Sequence, residues 1–206
     1  MQQTFEIELR GPLTKEQYDL LVKKFSKEGE FVQDKNRILI DYSTMIPEQG
    51  IKGRDKDIRL RVTNKKPEII IKLGSWGGSE QREELSIITQ EGTFDTLVKV
   101  YNALGYDKGV LCVRNSKVYN YKGVEFALVE VPNHSYFFEA EKLVTTDGKK
   151  DQAQKDIEKV CMDLDLSIYT DQEFYDYVEK LNKEANKLFD FEKEFTEGYF
   201  KNKFDL

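Results

Sequence analysis

Apolar and polar residues alternate with a period of two along much of the chain, and with a helical period in four other stretches. Phe5-Glu6-Ile7-Glu8-Leu9-Arg10 alternates strictly, so residues 3–10 are predicted as a strand. Thr14-Lys15-Glu16-Gln17 is a capping box, with Leu13 and Tyr18 placed as a hydrophobic staple. It opens a helix to about Gly29, with Leu20, Leu21 and Phe25 on its apolar face. Residues 31–45 read as extended (Phe31, Ile38, Ile40, Tyr42), and a loop rich in glycine and charge runs from Pro47 to Asp57. Ile58–Thr63, Glu68–Leu73 and Arg82–Ile88 are three short strands. Asn64-Lys65-Lys66-Pro67 and Gly74-Ser75-Trp76-Gly77-Gly78 join them as turns, which predicts antiparallel hairpins.

A helix is predicted from about Thr93, with Phe94, Leu97, Val98, Tyr101 and Leu104 on one face and Gly105 as its stop. Strands Val110–Tyr119, Val124–Val131 and Tyr136–Leu143 follow, then a helix from Asp151 to Leu164. A second capping box, Thr170-Asp171-Gln172-Glu173, starts a long C-terminal helix carrying Phe174, Val178, Leu181, Ala185 and Leu188. Strands dominate and helices are inserted between them, which defines an α+β class.

The charges on these strands are not scattered. Glu6/Glu8, Arg59/Arg61 and Glu139/Glu141 each place two like charges on one strand face, with Ile7, Leu60 and Ala140 pointing the other way. Lys72 shares a face with Ile70, Arg82 with Glu84 and Ser86, and Arg114 with Ser116. Like charges packed side by side repel unless water, a metal or a charged ligand relieves them. If the sheet closes into a barrel with its apolar face outward under the helices, the charged face lines the lumen. Such a lumen is too costly for a dry core and fits a wet tunnel for a highly charged ligand.

The 206 residues suffice for one domain with a sizeable core, here residues 1–206, with the barrel over about 2–143 and C-terminal helices over about 151–205. Charged residues make up 34% of the chain, and mean hydropathy is −0.63. No apolar run approaches the ~20 residues of a membrane span. The absence of an N-terminal apolar run and of metal-spaced cysteines (Cys112 and Cys161) leads to the expectation of a cytoplasmic protein with no membrane partner. A net charge of −6 argues against duplex nucleic acid as the main partner.

With these residues in order, the chain resembles the CYTH superfamily, the triphosphate tunnel metalloenzymes. Glu6-Ile7-Glu8-Leu9-Arg10 resembles the Glu-x-Glu-x-Lys signature of that family. Arg59-Leu60-Arg61, Lys72, Arg82-Glu83-Glu84 and Phe137-Phe138-Glu139-Ala140-Glu141 follow in the family's order over roughly residues 2–143. The resemblance implies an eight-stranded antiparallel barrel with helices packed outside, binding a triphosphate in its tunnel with Mg2+ or Mn2+. It implies metal ligation by Glu6, Glu8, Glu139 and Glu141, with Glu84 next, and phosphate contacts from Arg10, Arg59, Arg61, Lys72, Arg82 and Arg114. Glu6, Glu8, Arg10 and Lys72 form the implied catalytic set. The implied substrate is a small triphosphate: inorganic triphosphate, ATP or thiamine triphosphate. The implied activity is a metal-dependent triphosphatase, with a class IV adenylyl cyclase or a non-catalytic polyphosphate- or nucleotide-binding module as alternatives.

Three positions depart from the family pattern. Arg10 stands where lysine is usual, Ser116 where a second basic residue is common, and Val129 where an acidic residue is frequent, with Glu130 on the opposite face. Other charged or aromatic residues have plainer readings. His134, in Pro132-Asn133-His134-Ser135, reads as a surface turn residue, and Trp76 as a cap on the barrel or a base-stacking group. Lys35, Arg37 and the Lys52/Arg54/Lys56 loop read as solvated charge able to meet an incoming polyanion. The C-terminal helix is placed to plug one end of the tunnel. The resemblance allows a monomer or a homodimer, and no exposed apolar stripe marks an interface in the sequence.

Overall fold

The structure is a computed structural model that describes residues 5–46, 55–74, 79–145 and 149–206, with the side chains of 79–81 excepted. Nine strands are present among these residues: β1 (Phe5–Leu13), β2 (Glu30–Asp41), β3 (Lys56–Thr63), β4 (Lys66–Leu73), β5 (Ser79–Ile88), β6 (Lys108–Tyr121), β7 (Val124–Val131), β8 (Ser135–Val144) and β9 (Lys187–Asp190). The sheet order is β2-β3-β4-β5-β1-β8-β7-β6-β9, every pair antiparallel, and β2 also pairs with β6. That last pairing closes β1–β8 into an eight-stranded barrel, and β9 is an added edge beside β6. Closure leaves no open edge in the barrel itself.

Local sequence accounts for the hairpins. Asn64 and Lys65 sit at φ 50° and 69°, and Lys122 and Gly123 at φ 51° and 76°. Both pairs form two-residue turns whose twist matches that of the flanking strands.

Among the described residues six α-helices surround the barrel: α1 (Lys15–Glu28), α2 (Phe94–Ala103), α3 (Lys150–Asp163), α4 (Asp171–Glu184), α5 (Phe191–Glu194) and α6 (Tyr199–Phe204). Both expected capping boxes form, at Thr14 with Gln17 and at Thr170 with Glu173, each such cap stabilising its helix by about 1 kcal/mol. The outward strand residues Ile7, Leu9, Phe126, Leu128, Phe138 and Ala140 are buried beneath Leu21 and Phe25 of α1 and Ile157 and Val160 of α3. A second cluster packs Phe94 and Val98 of α2 and Phe200 of α6 over Ile40, Leu60 and Val62. The apolar core therefore lies outside the barrel, between its wall and the helices.

Several sequence expectations shift. Leu20 and Leu104 are exposed, and Tyr18 takes the buried place on α1 expected of Leu20. The C-terminal helix ends at Glu184, and Leu188 lies on β9, because Asn186 N–H bonds the Leu181 carbonyl and turns the chain toward β6. Residues 43–45 form a 3-10 turn instead of continuing β2. Trp76, Lys52 and Arg54 lie outside the described residues.

Gly11 determines how α4 reaches the barrel. A Cβ there would stand 1.9 Å from the Ser167 carbonyl oxygen and 2.5 Å from the Phe138 ring. Only glycine lets the 166–169 segment cross β1 so closely, where Tyr169 N–H donates to the Arg10 carbonyl at 2.8 Å. From that crossing α4 runs over one end of the barrel, with Leu181 packed on Val129, Val131 and Phe137.

Candidate active site

The lumen holds a cavity of about 230 Å3 lined almost entirely by charge. Its carboxylates are Glu6 and Glu8 from β1, Glu84 from β5, Glu125 from β7, and Glu139 and Glu141 from β8. Its cations are Arg10, Lys35, Arg37, Arg59, Arg61 and Lys72. Strand alternation produces this segregation: each strand that sends a charge inward sends its neighbours outward into the apolar core.

Register brings the acidic groups together. Glu8 pairs directly with Glu141, Arg10 with Glu139, and Glu125 with Glu141. One carboxylate oxygen from each of Glu6, Glu8 and Glu141 lies within 4.8 Å of the others. Burial pushes the Glu141 carboxyl up to about 8, helped by the charges of Glu6, Glu125 and Glu139. Glu8 is also raised well above the usual range, by burial against the pull of Arg10, and by Glu139 and Glu6. Burial acts the same way on Glu6, but the Lys72 charge and hydrogen bond outweigh it and hold the group near about 2. Glu139 is held below its ordinary value because Arg10, Arg37 and Lys72 together overcome its burial. Carboxylates this crowded, two of them forced toward the neutral form, are an oxygen-rich set suited to a hard divalent cation. The donor set fits Mg2+ or Mn2+.

Most of the cations are engaged with carboxylates. Lys72 Nζ lies 2.8 Å from Glu6, 3.2 Å from Glu84 and 3.9 Å from Glu8. Arg10 contacts Glu8 at 2.8 Å and Glu139 at 3.5 Å, and its guanidinium lies 4.9 Å from the centre of the Phe174 ring. Arg61 binds Glu68 through Nε at 3.0 Å and a terminal nitrogen at 2.7 Å, and Arg59 pairs with Asp57. Arg37 is different. No ion pair joins it among the described residues, and its Nε, like that of Arg59, is buried without a hydrogen-bond partner. Burial and the nearby Arg61 and Arg59 charges lower its pKa. A cation held in this way is poised for an anion that enters from outside.

Two expected phosphate contacts stand apart from the cavity lining. Arg82 is 1% exposed and ion-paired with buried Asp57 at 3.1 Å. Arg114 lies at the α4-covered end, where its guanidinium donates to Asn186 Oδ1 at 2.9 Å and to the Val113 carbonyl. There it lines a smaller cavity of about 110 Å3 with Phe174, Tyr177 and Asn182 of α4, beside Arg10 and Arg59. Conversely, Lys35 and Arg37, read from the sequence as solvated charge, face the lumen. Lys35 sits opposite Ser116 on the neighbouring strand, so it restores positive charge at that departure. Glu125 is the lining carboxylate that sequence reasoning missed. It shares a strand face with Val129, four residues on, and the alternation of β7 was the signal that could have found it. His134 lies in the β7–β8 turn, bonded to Ser135 at 2.7 Å and Glu184 at 3.0 Å, a structural tie to the end of α4.

No protein-family model and no curated protein matches the chain. Solved structures do. The PH1819 protein of Pyrococcus horikoshii is 23% identical, with a TM-score of 0.70 over 85% of this chain and 98% of that one. A Vibrio parahaemolyticus protein provisionally assigned as an adenylate cyclase is 14% identical, with a TM-score of 0.58 over 81% and 91%. The Hippeastrum protein HpAC1, named for adenylyl cyclase and described as having a dominant triphosphatase activity, is 14% identical, with a TM-score of 0.53 over 81% and 90%. The chain shares the fold of these structures, and its eight-stranded antiparallel barrel with helices outside is the one expected from its sequence.

Proposed function

We propose that the protein is a divalent-metal-dependent triphosphatase acting on inorganic triphosphate or a related small triphosphate. The observation that carries this reading is the charged lumen, six carboxylates against six cations, with Arg37 in no ion pair among the described residues. The lining is formally neutral, so a triphosphate adds uncompensated negative charge that a divalent cation on the acidic side offsets. The triphosphatase activity described for the structurally similar Hippeastrum protein supports the same reading.

In this reading Glu6, Glu8 and Glu141 hold the metal, with Glu84 and Glu139 beside them. A bound Mg2+ or Mn2+ supplies charge neutralisation at the phosphate oxygens and lowers the pKa of a coordinated water. Arg37, Arg59 and Arg61 grip phosphate oxygens through their planar forks. Arg10 contributes charge and position but no proton, since a guanidinium stays protonated. Lys72 is the ammonium close to the acidic cluster and is suited to deliver a proton to the leaving phosphate oxygen. Glu139, kept ionised by Arg10, orients the attacking water. Positioning and charge stabilisation carry most of the rate in such a reaction.

The test is product analysis with Mg2+ or Mn2+, offering inorganic triphosphate and ATP in parallel. Orthophosphate from inorganic triphosphate, lost in Glu6→Gln, is expected. Cyclic AMP and pyrophosphate from ATP would establish a cyclase instead. Ligand-dependent thermal stabilisation without turnover would establish a binding module.

A further inference from the structure

The two lumen arginines of β3 are held in different ways. Arg59 shares its carboxylate partner, Asp57, with the buried wall residue Arg82. Arg61 has a carboxylate to itself. It lies directly opposite Glu68 of β4 in the cross-strand register. Glu68 Oε2 accepts from Arg61 Nε at 3.0 Å and from one terminal nitrogen at 2.7 Å. The other Glu68 oxygen accepts from the Ser86 hydroxyl of β5, so the carboxylate is anchored from both sides. Arg61 lines the lumen cavity, while Glu68 stands behind it, outside the lining.

The charges favour this arrangement. Burial works to raise the Glu68 carboxyl, but the Arg61 charge, the Ser86 and Arg61 hydrogen bonds and the Arg37 charge overcome it and hold the group below its ordinary value. Arg37 and Arg61 face the lumen from neighbouring strands, and each repels the other. Without an anchor, that repulsion and the rotamer freedom of a long side chain would draw Arg61 out of place. A guanidinium is a rigid plane with five N–H donors, so fixing one edge fixes the direction of the rest. The second terminal nitrogen of Arg61 has no hydrogen bond among the described residues.

The geometry points to Glu68 as a positioning residue for the lumen: it grips Arg61 by one edge so that the other edge, beside Arg37, presents its N–H groups to a phosphate of the ligand. The inference rests on the triphosphate reading of the lumen and adds a residue that never touches the ligand. The ligand does not displace Glu68, because it meets the edge that the carboxylate leaves open. Ordering the arginine in advance removes a cost otherwise met on binding.

Two substitutions separate reach from charge. Glu68→Asp keeps the charge but is a methylene too short to join Arg61 to Ser86. Glu68→Gln loses the charge but keeps the reach. Both Arg61 bonds go to one oxygen, which the amide oxygen replaces, while the amide nitrogen donates to the Ser86 hydroxyl. The probe is calorimetric titration with Mg2+ and the imido-bridged analogue of inorganic triphosphate. Glu68→Asp is expected to bind about tenfold more weakly than the wild type, which is about 1.4 kcal/mol. Glu68→Gln is expected to bind at least as tightly as the wild type. In an Arg61→Met background Glu68→Asp is expected to cost no further affinity, since a double-mutant cycle isolates the pair. A loss of equal size in that background overturns the inference, as does a Glu68→Gln variant as weak as Glu68→Asp. A wild-type chain that binds no analogue overturns the triphosphate reading together with it. A wild-type chain that binds, with Glu68→Asp unaffected, overturns the positioning role alone.

Discussion

Lys72 Nζ lies 2.8 Å from Glu6 Oε2, although β5 separates the two strands in the sheet. The ammonium reaches across the lumen wall and neutralises an acidic cluster that would otherwise repel itself. Lys72→Met removes that charge and leaves Glu6 and Glu8 buried without it, so stability at pH 7 is expected to fall by about 3 kcal/mol. Urea denaturation measures the loss, and Mg2+ is expected to recover part of it. An unchanged midpoint without metal would show that the cluster does not depend on Lys72.

The pH dependence of stability follows from Glu141. Its folded-state pKa of about 8 lies above the ordinary carboxylate value of 4.5. The folded state therefore binds more protons than the unfolded state between those values, and stability falls as pH rises through that window. Glu8 acts in the same direction, whereas Glu6, lowered to about 2, contributes stability that is lost only as pH drops from 4.5 toward 2. Thermal melts in a chelator from pH 5 to 9 should show a decline that is shallower in Glu141→Gln. Adding Mg2+ should raise the melting temperature most at the alkaline end. A flat profile in the wild type would contradict this assignment.

Arg37 should separate binding from stability. Because burial and the Arg61 and Arg59 charges outweigh the attraction of Glu139 and Glu8, Arg37→Met is expected to leave the melting temperature unchanged or raise it. A lost charge-assisted contact of about 1.5–3 kcal/mol predicts a roughly 10- to 150-fold weaker hold on the triphosphate. Calorimetric titration with a slowly hydrolysed triphosphate and Mg2+ checks the affinity. Lost stability with unchanged affinity would make Arg37 a structural residue.

Gly11→Ala tests the seating of α4. A methyl group 1.9 Å from the Ser167 carbonyl oxygen forces the crossing segment off β1, at a cost of about 1–3 kcal/mol or more. The Tyr169 to Arg10 backbone bond should lose protection in hydrogen exchange before the rest of β1 does.

Much of the fold is legible in the sequence because the two determining signals are local. Strict alternation in Phe5-Glu6-Ile7-Glu8-Leu9-Arg10 both defines a strand and assigns its faces, and the capping boxes at Thr14 and Thr170 mark helix starts within one turn. Ends without such signals moved: α4 stops at Glu184 because pairing of residues 187–190 with β6, a tertiary contact, takes over. Lys35 and Arg37 were misread for a related reason. Their strand carries polar residues on both faces over Gln33-Asp34-Lys35-Asn36-Arg37, so alternation there cannot say which side is the lumen.

The sequence by itself determined that charges and apolar residues go to opposite faces of the strands, since a period of two leaves no other arrangement. Only the tertiary structure decided that β2 meets β6 to close the barrel. Closure turned those charged faces into one buried lumen. It also decided which charges form ion pairs there: Lys72 with Glu6, Arg10 with Glu8, and Arg37 with none among the described residues. Partner choice depends on distances across a closed barrel, and these are set by register and shear between strands far apart in the chain.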